Sequence, residues 1–199
     1  MTKKTLDTYR RKRQFGKTPE PAGAEAPAGK PSGIFVVQKH RATSLHYDFR
    51  IEVGGVLKSW AVPKGPSTNP ADKRLAMPTE DHPLEYASFE GVIPEGQYGA
   101  GAVIVWDAGH YRNIKADDQG HEMPMEQCLD EGQVEIHLDG VKLKGAYALI
   151  RTAADKSGRY RWLLIKKRDS WAGLGGDLTV TRPESVLSQR TIEDMSASK

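Results

Sequence analysis

From Ile34 onward the sequence breaks into short runs rich in Val, Ile, Tyr, Phe and Trp: IFVVQKH, LHYDFRIEV, VLKSWAV, RLAM, AVIVWD, VEIHLDG, KGAYALIRT and RYRWLLIKK. Gly, Pro and Asp turn residues separate them, and runs of this length at this spacing predict short strands of an all-β barrel or sandwich. The expected fold is mainly β, a compact closed or partly closed barrel over residues 33–170 with a few short helices. Residues 1–32 hold eight basic side chains against three acids, a charge of +5 that leaves −2 for the rest. Around Leu6 to Phe15 a short helical pattern appears, after which GKTPEPAGAEAPAGKPSG offers little to bury, so this segment is expected to be a flexible basic arm and linker. The tail, 171–199, carries SVLSQRTIEDM, where Thr191 precedes Asp194 in a weak capping box at the start of a short helix. The lone cysteine, Cys128, has no internal partner for a disulfide or a zinc ribbon, which favours a reducing compartment. No apolar run reaches the roughly 20 residues of a membrane span and no secretory leader is evident, so a cytoplasmic, non-membrane protein is expected.

The chemistry concentrates in HRATSLHYDFRIEV, His40 to Val53. In a strand beginning at Leu45, a period of two sends Tyr47, Phe49, Ile51 and Val53 to one face and His46, Asp48, Arg50 and Glu52 to the other. The first face is core. The second lines up an imidazole, a carboxylate and a guanidinium about 7 Å apart. A hairpin across RATSL brings His40 beside His46, and two imidazoles with a carboxylate suit Mn, Fe, Zn or Ni while leaving coordination positions open. Arg50 adds a planar cation that can pair with phosphate. The competing reading is a solvated strand face with His40 in a turn. In RLAMPTEDHPLEY, Glu80 and His82 share a face if the segment is extended, and His82 reads either as a donor to phosphate or as a buried structural histidine. Lys64, in the Pro/Gly turn after VLKSWAV, either faces phosphate or is solvated.

Other features carry less. The glycine run PEGQYGAG, Pro94 to Gly101, lacks the dinucleotide-binding order and reads as a barrel corner. Trp60, Trp106 and Trp162 are expected in the core, with base stacking as the minority reading. His110, His121 and His137 lack metal-like spacing. There is no phosphate-cradling Gly-x-x-x-x-Gly-Lys-Ser/Thr and no Gly-x-Ser-x-Gly nucleophile elbow.

QKHRATSLHYDFRIEVGGVLKSWAVPKGPS, KRLAMPTEDHPLEYASFEGVIPEGQYGAGAVIVWD and KLKGAYALIR with RWLLIKKRD resemble the 3'-phosphoesterase domain of bacterial ATP-dependent DNA ligase D and its stand-alone homologues, over residues 9 to about 169. The resemblance implies a β-barrel that trims 3' ends in non-homologous end joining, removing a terminal ribonucleoside and then the 3'-phosphate. It implies that His40, His46 and Asp48 hold Mn2+, with Co2+ or Zn2+ as other candidates, and that Arg50 and His82 hold the scissile phosphate. Lys64, Arg74, Glu80 and Tyr86 match auxiliary site positions, and Arg13 and Glu20 match an N-terminal patch. Gln14 stands where the family typically has Asp, replacing a carboxylate with an amide that carries no charge. The implied partners are DNA or RNA-tailed DNA 3' ends, with ligase and polymerase domains or Ku, around a monomer. Two other classes fit less: a DNA-end-binding scaffold with reduced catalysis, suggested by Gln14 and the basic arm, and a non-haem iron oxygenase, since His-x-Asp plus His also forms a facial triad.

Overall fold

The computed structural model describes residues 6–23, 33–154, 158 and 160–197. The expected runs are strands: β1 Ile34–Arg41, β2 Leu45–Val53, β3 Val56–Val62, β4 Lys73–Pro78, β6 Gly101–Asn113, β7 Gln133–Gly140, β8 Lys144–Arg151 and β9 Trp162–Lys166. A further short strand, β5 Gly91–Ile93, was not anticipated. Strand order β1-β2-β3-β4-β9-β8-β7-β6, closed by antiparallel pairing of β6 with β1, makes an eight-stranded antiparallel barrel, and β5 adds to β6 outside the ring.

Local sequence sets the hairpins. Gly54 and Gly55 both have positive φ, 61° and 79°, the two-residue turn whose twist matches its flanking strands, and this registers Val53 opposite Val56. Between β1 and β6 the pairing slips by one residue at Val37/Gln38, a bulge that leaves Trp106 as the extra residue.

The period-two reading of β2 corresponds to two buried layers. Phe35, Val37, Tyr47, Phe49, Ile51, Trp60 and Trp106 join Ile136, Leu138, Tyr147, Leu149, Trp162 and Leu164 in one cluster that fills the barrel. Alternate positions of the same strands, Val36, Leu57, Val103 and Val105, lie outside the wall in a second cluster with Leu6, Tyr9, Tyr86, Phe89 and Ile93. That outer cluster is roofed by residues 6–23, which include α1 (Asp7–Arg11), and by the 3-10 turn Leu84–Ser88.

The roof corrects one expectation. Residues read as an arm with little to bury fold back instead: Tyr9 is fully buried, and Thr18 and Glu20 are buried with it. Residues 24–32 of the expected linker lie outside the described residues. Two further helices lie among these elements: α2 (Met125–Glu131) sends Cys128 into the barrel core, and α3 spans Leu178–Thr181. The C-terminal segment ends in α4 (Ile192–Ala197), which buries Ile192 and Met195 on Ala102 and Ile104. Its capping box forms: Asp194 N donates to Thr191 Oγ1 at 3.2 Å and Thr191 N to Asp194 Oδ2 at 2.9 Å. Among the described residues, no helix is long and apolar enough to cross a membrane.

Candidate metal and phosphate site

Antiparallel pairing puts directly opposed residues on one face, and the β1–β2 register sets His40 against His46, Gln38 against Asp48 and Val36 against Arg50. The outer face therefore gathers the two imidazoles and the carboxylate. Among the described residues, His40, His46 and Asp48 form the one group suited to a metal ion, with one ligand atom from each lying within 4.8 Å of the others. His40 Nδ1 lies 3.6 Å and His46 Nε2 3.8 Å from Asp48 Oδ2.

The remaining ring nitrogens are held by backbone. His40 Nε2 donates to the Gly99 carbonyl at 2.9 Å, and His46 Nδ1 donates to the Ser44 carbonyl at 3.0 Å. Each bond orients its ring, so that His40 Nδ1 and His46 Nε2 face the carboxylate. Burial alone pushes the Asp48 carboxyl up, but the Arg50 guanidinium and the two imidazoles outweigh it and hold it well below the usual carboxylate range. Two imidazole nitrogens and one carboxylate oxygen, pre-oriented and converging, fit a divalent transition ion.

Beside this cluster lies a fork of cations. Arg50, 3% exposed, donates from Nε to Gln38 Oε1 at 2.8 Å, and its Nη2 lies 3.2 Å from Asp48 Oδ2. Gln38 is itself held by the Tyr86 and Phe89 carbonyls, each at 3.0 Å, so the guanidinium is anchored through the 3-10 turn. His82 donates from Nδ1 to the Glu80 carbonyl at 2.9 Å, while Arg50 Nη1 lies 3.0 Å from that nitrogen and Arg13 Nη2 lies 3.3 Å from Nε2. Burial and then the Arg50 and Arg13 charges press the His82 imidazole well below its ordinary pKa, so the ring is neutral at neutral pH.

Arg13 ties the roof to this fork. It donates to Glu20 Oε1 at 2.8 Å and Glu80 Oε1 at 3.1 Å, and its guanidinium sits 3.8 Å from the centroid of the Tyr9 ring. Tyr86 donates its hydroxyl to Glu20 Oε1 at 3.0 Å. Burial raises the Glu80 carboxyl, but Lys12 and Arg13 prevail and it remains ionised.

A cavity of about 270 Å³ opens over these groups, lined by Arg13, His40, His46, Asp48, Arg50, Glu80, His82, Tyr86 and Tyr98 among others. Of the sequence-predicted site residues, Lys64 and Arg74 are not among those lining it. Lys64 is exposed in the turn after β3, and Arg74 on β4 pairs with Asp72 at 3.0 Å. Glu20 acts on the cavity through Arg13 and Tyr86. Gln14 is exposed, with no part in this lining. Sequence reasoning did not single out Gln38, Gly99 or Tyr98. Gln38 sits two residues before His40 and in phase with it, which was the available signal for Gln38.

A closed β-barrel whose outer wall carries a two-histidine, one-carboxylate cluster and the buried Arg50, with Arg13 reaching in from the roof, has the makings of a metal-assisted phosphoester site. Residues 38–151 match the family described as the DNA Ligase D 3'-phosphoesterase domain. The chain is 48% identical over 193 residues, 95% of its length, to the multifunctional non-homologous end joining protein LigD of Pseudomonas aeruginosa. It is 49% identical over 158 residues, 79% of its length, to the multifunctional non-homologous end joining DNA repair protein LigD of Mycobacterium tuberculosis. The chain belongs to the LigD 3'-phosphoesterase domain family. It spans about a fifth of these relatives, 22% and 19% of their lengths.

Proposed function

We propose that this chain is a divalent-metal-dependent hydrolase that processes the 3' ends of DNA during double-strand break repair, removing a terminal ribonucleoside and then the 3'-phosphate. The observation that carries the reading is the convergence of His40 Nδ1, His46 Nε2 and Asp48 Oδ2 beside the anchored Arg50 guanidinium. His40, His46 and Asp48 would hold a divalent ion, Mn2+ in our reading or else Co2+ or Zn2+, which when bound would supply Lewis-acid polarisation of a phosphoryl oxygen and a lowered pKa for water.

The chain's own groups do the rest. Arg50 and Arg13 present fixed positive charge to the phosphoryl oxygens, where charge grows in the transition state and where a buried donor needs no reorganisation. His82 enters neutral: with Nδ1 donating to the Glu80 carbonyl, Nε2 is left to accept from Arg13, and the ring sits between the Arg13 and Arg50 guanidiniums as a spacer. Protonation of a leaving oxygen by this ring would require it to be charged between two cations, so its geometry favours positioning over acid catalysis. Tyr86 and Glu20 hold Arg13 and the roof over the cavity. Exposed basic residues of the N-terminal segment, such as Arg11 and Lys17, supply phosphate contacts that add affinity without reading sequence. The setting is the cytoplasm, where the DNA lies, and the partners are primer-template 3' ends together with the ligase and polymerase activities of end joining or Ku.

The test is a 5'-labelled primer bearing terminal ribonucleotides, annealed to template and incubated with a panel of divalent metals. The expected products are a 3'-phosphate end and then a 3'-OH end, with Mn2+ supporting both steps. No product with any metal, together with salt-sensitive duplex binding, would support the end-binding scaffold instead. Turnover that requires Fe(II), a cosubstrate and O2 would support the oxygenase.

A further inference from the structure

A second cavity of about 450 Å³ adjoins the metal cavity and is lined by Thr8, Lys12, Pro78, Thr79, Glu80, Asp81 and Tyr98. Thr79, Glu80 and Tyr98 line both cavities, so the two are neighbours across this wall. Its size lies within the range of about 300 to 1,000 Å³ that small organic ligands fill. Tyr98 is 47% exposed, an aromatic ring at the boundary with no place in any of the buried clusters. It is nonetheless held. Lys12 Nζ donates to its hydroxyl at 3.0 Å and lies 4.3 Å from the ring centroid, and the same ammonium donates to Glu80 Oε2 at 2.9 Å. The following residue, Gly99, gives its carbonyl to the metal-cluster residue His40, which ties the ring's backbone to the metal cluster.

We propose that the second cavity receives the nucleoside on the far side of the scissile phosphate, and that Tyr98 is the platform on which its base stacks. This rests on the proposed phosphoesterase function. With a phosphoryl group against Arg50 and Arg13, one substituent points to the cluster and the other can reach across Glu80 and Tyr98. In the first step the oxygen of water bonds to phosphorus as the bond from phosphorus to the 5' oxygen of the terminal nucleoside breaks. One proton of the water passes to that oxygen, and the nucleoside departs from the second cavity. A ring that is half exposed yet fixed suits stacking, because every base offers a π face and the platform pays little ordering entropy on binding. Tyr98 is therefore a specificity-determining residue for terminal nucleosides of any base.

The test compares two primers, one ending in a ribonucleoside and one ending in the same ribose without its base. Wild type is expected to prefer the base-bearing end about 10-fold in kcat/KM. Tyr98→Leu is expected to bring this ratio close to 1, whereas Tyr98→Phe and Tyr98→Trp keep it. Because the ratio is taken within each variant, a general loss of activity or folding does not alter it. An unchanged ratio in Tyr98→Leu, with wild type active on both primers, overturns the stacking role alone. Wild type inactive on both primers and on a 3'-phosphate end with every metal overturns this inference and the proposed function together.

Discussion

The two faces of the β1–β2 hairpin are built from alternating residues of the same chain, and both are buried, yet they solve different problems. The inner face, Phe35, Val37, Tyr47, Phe49 and Ile51, is apolar and packs into a cluster drawn from every side of the barrel. The outer face, Gln38, His40, Asp48 and Arg50, is polar, buried under a roof supplied by residues 6–23 and by the segment from Glu80 to Gly99. Burying an apolar side chain is favourable by itself. Burying Asp48 and Arg50 is costly unless each is fully partnered, so the outer face holds together only as a network. The inner face fills the barrel and the outer face carries the candidate site, on adjacent residues of the same strands.

The largest expected effect separates neighbours in sequence. Asp48→Asn keeps the shape and removes the charge, so metal-dependent 3'-end release is expected to fall more than about 100-fold, since even the partners of metal ligands are worth about 10- to 100-fold. Phe49→Ala, one residue on, is expected to cost about 3–5 kcal/mol of stability in a denaturant titration while leaving turnover per folded molecule within about 2-fold. If the two variants behave alike, the two faces are not independent.

Arg50→Lys comes next. A lysine cannot reproduce the fork that reaches Gln38, His82 and Asp48 together, so activity is expected to fall at least about 10-fold with Mn2+ binding largely retained. A lysine variant with wild-type kinetics would show that a point charge suffices there. Glu20→Gln probes the roof. It weakens the hold on Arg13 and on Tyr86, and we expect a loss of about 10-fold in kcat/KM, smaller than at Arg50, with the barrel's unfolding midpoint little changed.

The inner face was plain in the sequence because an alternation of two marks a strand whatever its surroundings. The hairpin placed His40 beside His46 on the same logic, and the buried core positions of Trp60, Trp106 and Trp162 followed from their runs. The roof was not legible. Residues 6–23 contain few apolar side chains, and what fixes them is the Arg13 and Glu20 pair, whose further partners Glu80 and Tyr86 lie 67 and 66 residues away from them in sequence. β6 extends to Asn113, past the apolar run AVIVWD, because Gly109 allows close approach of β7: a Cβ there would lie 2.2 Å from the Asp139 carbonyl oxygen. The resemblance singled out Lys64 and Arg74 by position, but position in a motif does not say whether a turn residue such as Lys64 or a strand residue such as Arg74 turns its side chain to the cavity.

The smallest expected effect is one of pH. The folded-state pKa of His82 is lowered from 6.5, so the unfolded chain binds the proton first. The stability this contributes is present above pH 6.5 and is lost as pH falls from there toward the folded value. His82→Asn is expected to flatten that decline in thermal unfolding measured between about pH 7 and pH 5. A decline of equal slope in the variant would assign it to other groups.

The most direct measurement is a calorimetric titration of Mn2+ into the wild-type chain and into His46→Ala, run beside release of phosphate from a primer with a 3'-phosphate end. We expect one ion bound per wild-type chain, with both the binding and the release lost in the variant. A His46→Ala protein that still binds one ion and frees phosphate at the wild-type rate would contradict the assignment of His40, His46 and Asp48 as the catalytic centre.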